Sequence, residues 1–357
     1  MAAIDGGAIH NTNGTLRVFD STVRGHATSG RGGAVFSEGV QPALRRDMHF
    51  VDTLIEGTAH GDGGAVCTYR TYPGFDRCTV EGRCLGDGRG GAVHAWLVAF
   101  SDYRDSTFRG SRALWGGAIF GHNLRIHGCR FEDNATWSPL QPEPGGGGAL
   151  CTTDTAIIED SVFLRNRASH HPRAVGGAIY GPASTSHSTL VNNDASLDGA
   201  ALFSFPNSHG IQHLRRSIVL RAEGSTTPVF NVGTVARRNI VEDGYPAHPN
   251  NRDVDPLFWG PSDFHLLPGS PAVAPTASGE HQGAFPYDPF WCGEGCDGPI
   301  GLVSCVAMPS STGSPAQISA LGSVDLSVDR VVLLMTELPG QPLGVVIASQ
   351  STGFTPH

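Results

Sequence analysis

The chain has 357 residues and a net charge of -9, with 24 basic side chains, all arginine, against 33 acidic ones. The lack of a basic excess argues against a phosphate-tracking nucleic-acid surface, and no apolar run reaches the ~18 residues that a membrane-crossing helix needs. Glycine, at 48 residues, is too abundant for a helical protein but lacks the three-residue period of collagen, so many tight turns are expected.

The opening stretch, MAAIDGGAIH, has neither the basic n-region nor the apolar h-region of a secretion signal. It starts inside a repeat, and upstream coils or a signal are expected before it. The repeat is GGA followed by Ile, Val or Leu, beginning at Gly6, Gly32, Gly63, Gly90, Gly116, Gly147 and Gly176, with a degenerate GAAL at Gly199. Spacings of 23 to 31 residues mean stacked coils.

A second anchor follows in each unit. Its small column is Ser21, Thr53, Cys78, Ser106, Cys129, Ser161, Ser188 and Ser217, and two residues on stands an apolar column, Val23, Ile55, Val80, Phe108, Phe131, Phe163, Leu190 and Val219. Three positions before the small residue is another, Val18, Phe50, Phe75, Tyr103, Ile126, Ile158, Thr185 as the polar exception, and Leu214. A step of two is strand periodicity, and a step of three between the columns implies a corner. Each unit is then about three short strands that cannot bury their apolar residues alone, whereas stacking at ~4.8 Å pairs every strand in parallel register. The expected architecture is all-β, a parallel β-helix of about eight coils over residues 1–275. Gly-Gly-Ala fits a corner with positive φ or close backbone approach, and the variable stretches 135–146 and 167–175 are placed in protruding loops.

Further along, DVDPLFWGPSDFHLLPGSPAV (253–273) cannot continue a ladder through its prolines, and is expected to close the open sheet edge. Residues 276–290 are read as a linker. From residue 291 the composition changes; VDLSVD, VVLLM and Pro-Gly turns predict a small antiparallel β-sandwich, incomplete, over 291–357. Of the eight cysteines, Cys78 and Cys129 share a column two coils apart, about 9.6 Å, and Cys67 and Cys151 share one three coils apart, both beyond disulfide reach. Those four are expected as packed free thiols, while Cys292, Cys296 and Cys305 could pair in a way the sequence leaves open.

GGAI with FEDN (131–134) and FLRN (163–166) resembles the GGA[ILV] and FxxN repeats of polymorphic outer-membrane proteins and related bacterial right-handed β-helix proteins, over residues 1 to about 235. Segment 253–273 resembles the closing segment of secreted bacterial β-helix proteins, and the end of the chain resembles a C-terminal tail module of secreted proteins. The resemblance implies a right-handed coil, an asparagine ladder, an extracellular or cell-surface location, and an adhesion or carbohydrate-contact scaffold with an extracellular polysaccharide or cell-surface ligand as partner.

Two columns could carry chemistry. The position before the small column reads Asp20, Asp52, Arg77, Asp105, Gly128, Asp160, His187 and Arg216. Stacked carboxylates beside an arginine suit a polysaccharide lyase, with calcium as its ion, or an acid and base pair of a glycoside hydrolase, with Asp20, Asp52, Arg77 and Asp105 as candidates. The same pattern suits a surface charge ladder, which is favoured because the residues before successive GGA motifs, Asp5, Arg31, Asp62 and Arg89, also alternate in sign. The column after GGA[IVL] is His10, Phe36, Cys67, His94, Phe120, Cys151, Tyr180 and Phe203. Facing out, its Phe36, His94, Phe120, Tyr180 and Phe203 would stack on sugar rings; covered, they would be ordinary packing. No cofactor is called for by any motif, and the histidine pair His170 and His171 lacks a third metal ligand at a suitable spacing.

Overall fold

The computed structural model describes residues 4–40, 47–98, 100–137, 145–204, 212–222, 224–225, 235–243, 250–267, 269–273 and 281–285, together with the backbone of strands Val229–Phe230, Gln317–Gly322 and Val331–Thr336. Every described element is a strand. The first compact unit, residues 1–287, is a parallel β-helix, and the second covers 288–357.

Three parallel sheets run the length of the coil. The first climbs in nine strands from Ile9–Thr12 to Val229–Phe230, the second in nine from Leu16–Phe19 to Val235–Arg237, and the third begins at Thr22–Ala27 and ends at Ile240–Val241. Each winding contributes one strand or a broken pair of strands to each sheet. Eight windings carry the glycine motif; a ninth, Val229–Phe230, Val235–Arg237 and Ile240–Val241, carries none and has no counterpart in the sequence reading.

The registers are those of the apolar columns. Val23 pairs with Ile55 and Ile55 with Val80, then Phe108, Phe131, Phe163, Leu190 and Val219 follow in one vertical row. This row and the second-sheet row of Phe50, Phe75 and Tyr103 fill the centre, where the rings of Phe131 and Phe163 stack at 4.6 Å and 5°. Each fully buried side chain of this kind contributes roughly 1.5–3 kcal/mol. Thr185, the polar member of the second row, is buried with its hydroxyl unpartnered. Thr185→Val is therefore expected to stabilise the coil by about 1 kcal/mol, read as a higher midpoint in guanidinium unfolding.

The small columns have a reason that periodicity alone did not reveal: they tie one winding to the next. Ser106 Oγ accepts the backbone N–H of Cys78 at 3.0 Å and donates to the carbonyl of Arg104 at 2.6 Å; Ser161, Ser188 and Ser217 do the same for their neighbours. On the third sheet a buried ladder runs through Ser111, Asn134, Asn166 and Asn193. Asn166 Nδ2 donates to the carbonyl of Phe131 at 2.9 Å and to Asn193 Oδ1 at 3.0 Å, while its own Oδ1 accepts both the backbone N–H and Nδ2 of Asn134. Asn166→Ala leaves several of these buried groups without partners, and a loss of about 2–3 kcal/mol is expected, measurable by chemical denaturation.

The described residues between 250 and 285 do more than close an edge. Arg252 pairs in parallel with Ile240, its backbone N–H donating to the carbonyl of Asn239, and so covers the end of the third sheet. The chain then folds back over the outer face of that sheet, where Phe258, Phe264, Ala284 and Phe285 cover Val162, Leu164 and Val191. Residues 281–285, expected in the linker, belong to this cover: the Gly283 N–H donates to the carbonyl of Arg216 and the Ala284 N–H to Thr189 Oγ1 at 2.9 Å. In the second unit, Gln317–Gly322 and Val331–Thr336 form an antiparallel pair, with VVLLM inside the latter. The VDLSVD segment, the loop at 138–144 and Cys292, Cys296 and Cys305 lie outside the described residues.

Candidate functional site

The column of Asp20, Asp52, Arg77 and Asp105 is a corner of the coil. All four have left-handed backbone, φ 44°, 49°, 50° and 46°, as do Gly128, Asp160, His187, Arg216 and, in the ninth winding, Arg238. Left-handed backbone is tolerated by glycine and, among other residues, more readily by Asp and Asn, so the geometry itself accounts for the aspartates. The structure brings Asp52 and Arg77 together: Arg77 Nε and Nη2 donate to the two carboxylate oxygens of Asp52 at 2.8 and 2.7 Å, and Nη1 donates to Asp76 at 2.9 Å. These hydrogen bonds, with the charge of Arg77 behind them, hold the Asp52 carboxyl below its ordinary value, and Asp52 does the converse for Arg77. Asp20 and Asp105 are exposed, one winding to either side of that pair. Asp52→Asn is expected to leave the unfolding temperature nearly unchanged, because asparagine also accepts this backbone, whereas Asp52→Val is expected to lower it. Equal effects of the two substitutions in a thermal melt would contradict the corner explanation.

The aromatic column lies on the outer face of the first sheet, in continuous register from His10 through Phe36, Cys67, His94, Phe120, Cys151 and Tyr180 to Phe203. It points away from the core yet is covered. Phe36, His94, Phe120 and Phe203 are buried, Tyr180 is half-buried and His10 exposed. The cover is the column before each GGA: the Arg31 guanidinium sits 4.8 Å over the Phe36 ring, that of Arg89 5.2 Å over Phe120, and Trp115 packs on Tyr180. The sign alternation there also has a backbone component, since Asp5 Oδ1 accepts the N–H of Arg31 at 2.6 Å and Asp62 Oδ1 that of Arg89 at 2.8 Å.

Between the two arginines a cleft of about 240 Å³ opens, lined by Arg31, Asp62, Cys67, Tyr69, Arg89, His94 and Trp96. His94 is the buried member of this lining. Its Nδ1 lies 3.6 Å from Cys67 Sγ and 3.9 Å from Asp62 Oδ2, while Nε2 is buried without a hydrogen-bond partner. Burial pushes His94 down to about 4, with Asp62 opposing the shift. The imidazole is therefore neutral at physiological pH. Burial raises the Cys67 thiol well above its usual range, so the site holds no activated thiolate. Trp96 and Tyr69 stand half-buried beside it, and Trp96 continues into His122 at 4.4 Å.

Tyr69 and Trp96 escaped the sequence reading, although the signal was present: in VHAW, Trp96 lies two residues beyond His94 and so shares its outward face. The low value of His94 has a consequence for stability. The folded imidazole resists protonation that the unfolded chain accepts near 6.5, so its contribution is complete above about 6.5 and is lost as pH falls toward about 4. His94→Phe is expected to shallow the acid limb of a plot of unfolding temperature against pH in that window, relative to the parent chain; an unchanged limb would place the titration elsewhere.

Among the described residues, no group of three or more His, Cys, Asp or Glu side chains is arranged to hold a metal ion, and no helix is long and apolar enough to cross a membrane. No family model matches the sequence, and neither curated proteins nor solved structures show a match.

Proposed function

We propose that this chain is part of a secreted or cell-surface β-helix protein that acts as a non-catalytic scaffold for adhesion, contacting carbohydrate through the outer face of its first sheet. The observation that carries the reading is the cleft lined by two arginines, an aspartate, a buried imidazole and two half-buried aromatic rings. Sites of this kind, a few polar groups beside apolar faces in a concave surface, suit small ligands, and the sheet beneath holds each side chain in a fixed register. The repeat's resemblance to polymorphic outer-membrane proteins supports the location and the adhesive role. The mutual bidentate pairing of Asp52 and Arg77 weighs against their use in proton transfer.

Affinity electrophoresis through gels containing neutral or acidic polysaccharides tests the proposal, with parallel assays for new reducing or unsaturated ends in the presence of calcium. Retardation without cleavage is the expected result. Cleavage that disappears in both Asp52→Ala and Arg77→Ala would replace the scaffold by a lyase or glycoside hydrolase.

A further inference from the structure

We infer that the outer face of the third sheet, over the first four windings, carries a groove for a short acidic oligosaccharide, with Arg83 and Arg112 holding one acid group and Glu56 and Glu81 accepting hydroxyls. This is a second contact surface, separate from the first-sheet cleft, and it rests on the carbohydrate-contact reading above only for the class of its ligand.

The groove has a volume of about 340 Å³ and runs between two outward columns. One wall is Arg24, Glu56 and Glu81, the other Thr58, Arg83 and Arg112, each in register from winding to winding. Between the walls Gly25, Gly57 and Gly82 face inward, where a Cβ would meet the following GGA segment, so the floor is bare backbone. The walls stand about 6.8 Å apart by strand rise, too narrow for an α-helix of ~10 Å. The N–H and C=O groups of the floor point along the ladder and offer an extended peptide no hydrogen bonds. A sugar ring needs only the flat floor for its face and polar partners for the hydroxyls at its rim. Higher up, the same sheet face is closed: the Arg130 guanidinium lies 5.9 Å from the Phe264 ring, and the corner held by Gly110 passes to Asp133, Arg165 and Asn192. Gly110 lines the upper end of the groove, where a Cβ would meet nothing within 4 Å.

The charge argument begins with what each carboxylate already does. Glu81 accepts Arg109 Nε at 2.6 Å, and Glu56 accepts Arg24 Nε. Each uses one oxygen, so the other can accept a sugar hydroxyl. Arg112 stands on Arg83 in register, one ladder step of about 4.8 Å away. Both are exposed, and among the described residues neither has a carboxylate at ion-pair distance. Glu56 likewise stands on Glu81, so this face carries two like-charge pairs side by side. Such pairs destabilise a sheet, and local rules of this kind are broken where function requires it. Arg24 and Arg109 neutralise the two glutamates, so Arg83 and Arg112 leave the groove with a positive excess. Their planar guanidinium groups suit the oxygens of a carboxylate or a sulfate ester.

The test is calorimetric titration of the full chain with oligogalacturonate, a sulfated oligogalactan, a neutral oligogalactan of equal length, and oligoglutamate. One acidic oligosaccharide is expected to bind at least about tenfold more tightly than the neutral one, and which one does so identifies carboxylate or sulfate ester as the recognised group. Arg83→Gln and Arg112→Gln are each expected to weaken that binding about tenfold with melts unchanged, since both side chains are exposed. Gly110→Asn, which places a neutral side chain at the upper end of the groove, is expected to weaken it about fivefold at an unchanged unfolding midpoint. Trp96→Ala, on the first sheet, is expected to leave it intact. Equal binding of the acidic and neutral oligosaccharides would overturn the acid clamp, and equal binding of oligoglutamate would overturn the sugar assignment. Binding that survives all three groove variants but is lost in Trp96→Ala would overturn the groove and keep the scaffold reading at the first-sheet cleft. Absence of binding to any oligosaccharide would overturn both.

Discussion

Phe131→Asp is expected to unfold several neighbouring windings together. Phe131 is fully buried between Phe108, at 5.1 Å and 11°, and Phe163, at 4.6 Å and 5°. Loss of the ring alone costs about 3–5 kcal/mol, and an unpaired carboxylate left among these rings adds a desolvation penalty of several more. The total, above about 5 kcal/mol, approaches the whole stability of a typical domain. Stability in a stack of this kind is shared between nearest neighbours, so the damage spreads upward and downward. Hydrogen exchange is expected to lose protection across the adjoining windings as a block. Ile157→Asp is the control: Ile157 neighbours buried Ile158 but points out of the second sheet and is 44% exposed, so its melt should be almost unchanged. Equal unfolding by both, or deprotection confined to the single strand Arg130–Glu132, would contradict the vertical stacking.

The contrast between Ile157 and Ile158 also shows why the core was legible in the sequence. Strand parity assigns one residue inward and its neighbour outward, and the repeat supplies the same parity winding after winding, so the row from Val23 to Val219 could be read without coordinates. What escaped were features that parity does not encode. Val162 and Leu164 flank inward-pointing Phe163 and must face out, yet they are buried because the segment around Phe258 and Phe264 returns to cover them. The run VFL, apolar on both parities, was the available sign of a sheet buried on both faces. The ninth winding escaped because it dispenses with the glycine corner altogether.

At the candidate sites the sequence located columns but not what covers them. Aspartates at 20, 52 and 105 looked like chemistry because backbone conformation is invisible in a residue list; the left-handed corner supplies a sufficient reason for them. His94 was named from its place in an aromatic strip, whereas its burial and its neutral state depend on how Cys67, Asp62, Trp96 and Phe120 pack around it. Repetition predicts rows along the coil, and the cleft is assembled across rows.

Two glycines that look alike in composition separate the two reasons for a missing side chain, and Gly64→Val should be the most damaging glycine substitution of the pair Gly64 and Gly110. A Cβ on Gly64, the second glycine of its motif, would collide with the carbonyl oxygen of Gly91 and the backbone nitrogen of Arg83 in the next winding. Neither can retreat, since the Gly91 carbonyl accepts the N–H of Ala65 at 3.1 Å and Gly64 itself donates to Gly90. Overpacking against backbone breaks the ladder, and a loss above about 4 kcal/mol is expected, at the extreme end for a single substitution. Gly110 has φ +60°, but a Cβ there meets nothing within 4 Å. The same corner in other windings is held by Asp133, Arg165 and Asn192, all left-handed. Gly110→Asn is therefore expected to change stability by less than about 0.5 kcal/mol, and to stabilise if the restricted unfolded chain outweighs residual strain. Guanidinium unfolding of the two variants reads the difference directly. A silent Gly64→Val beside a damaging Gly110→Asn would mean that chain direction, and not the approach of stacked backbones, sets the glycine pattern.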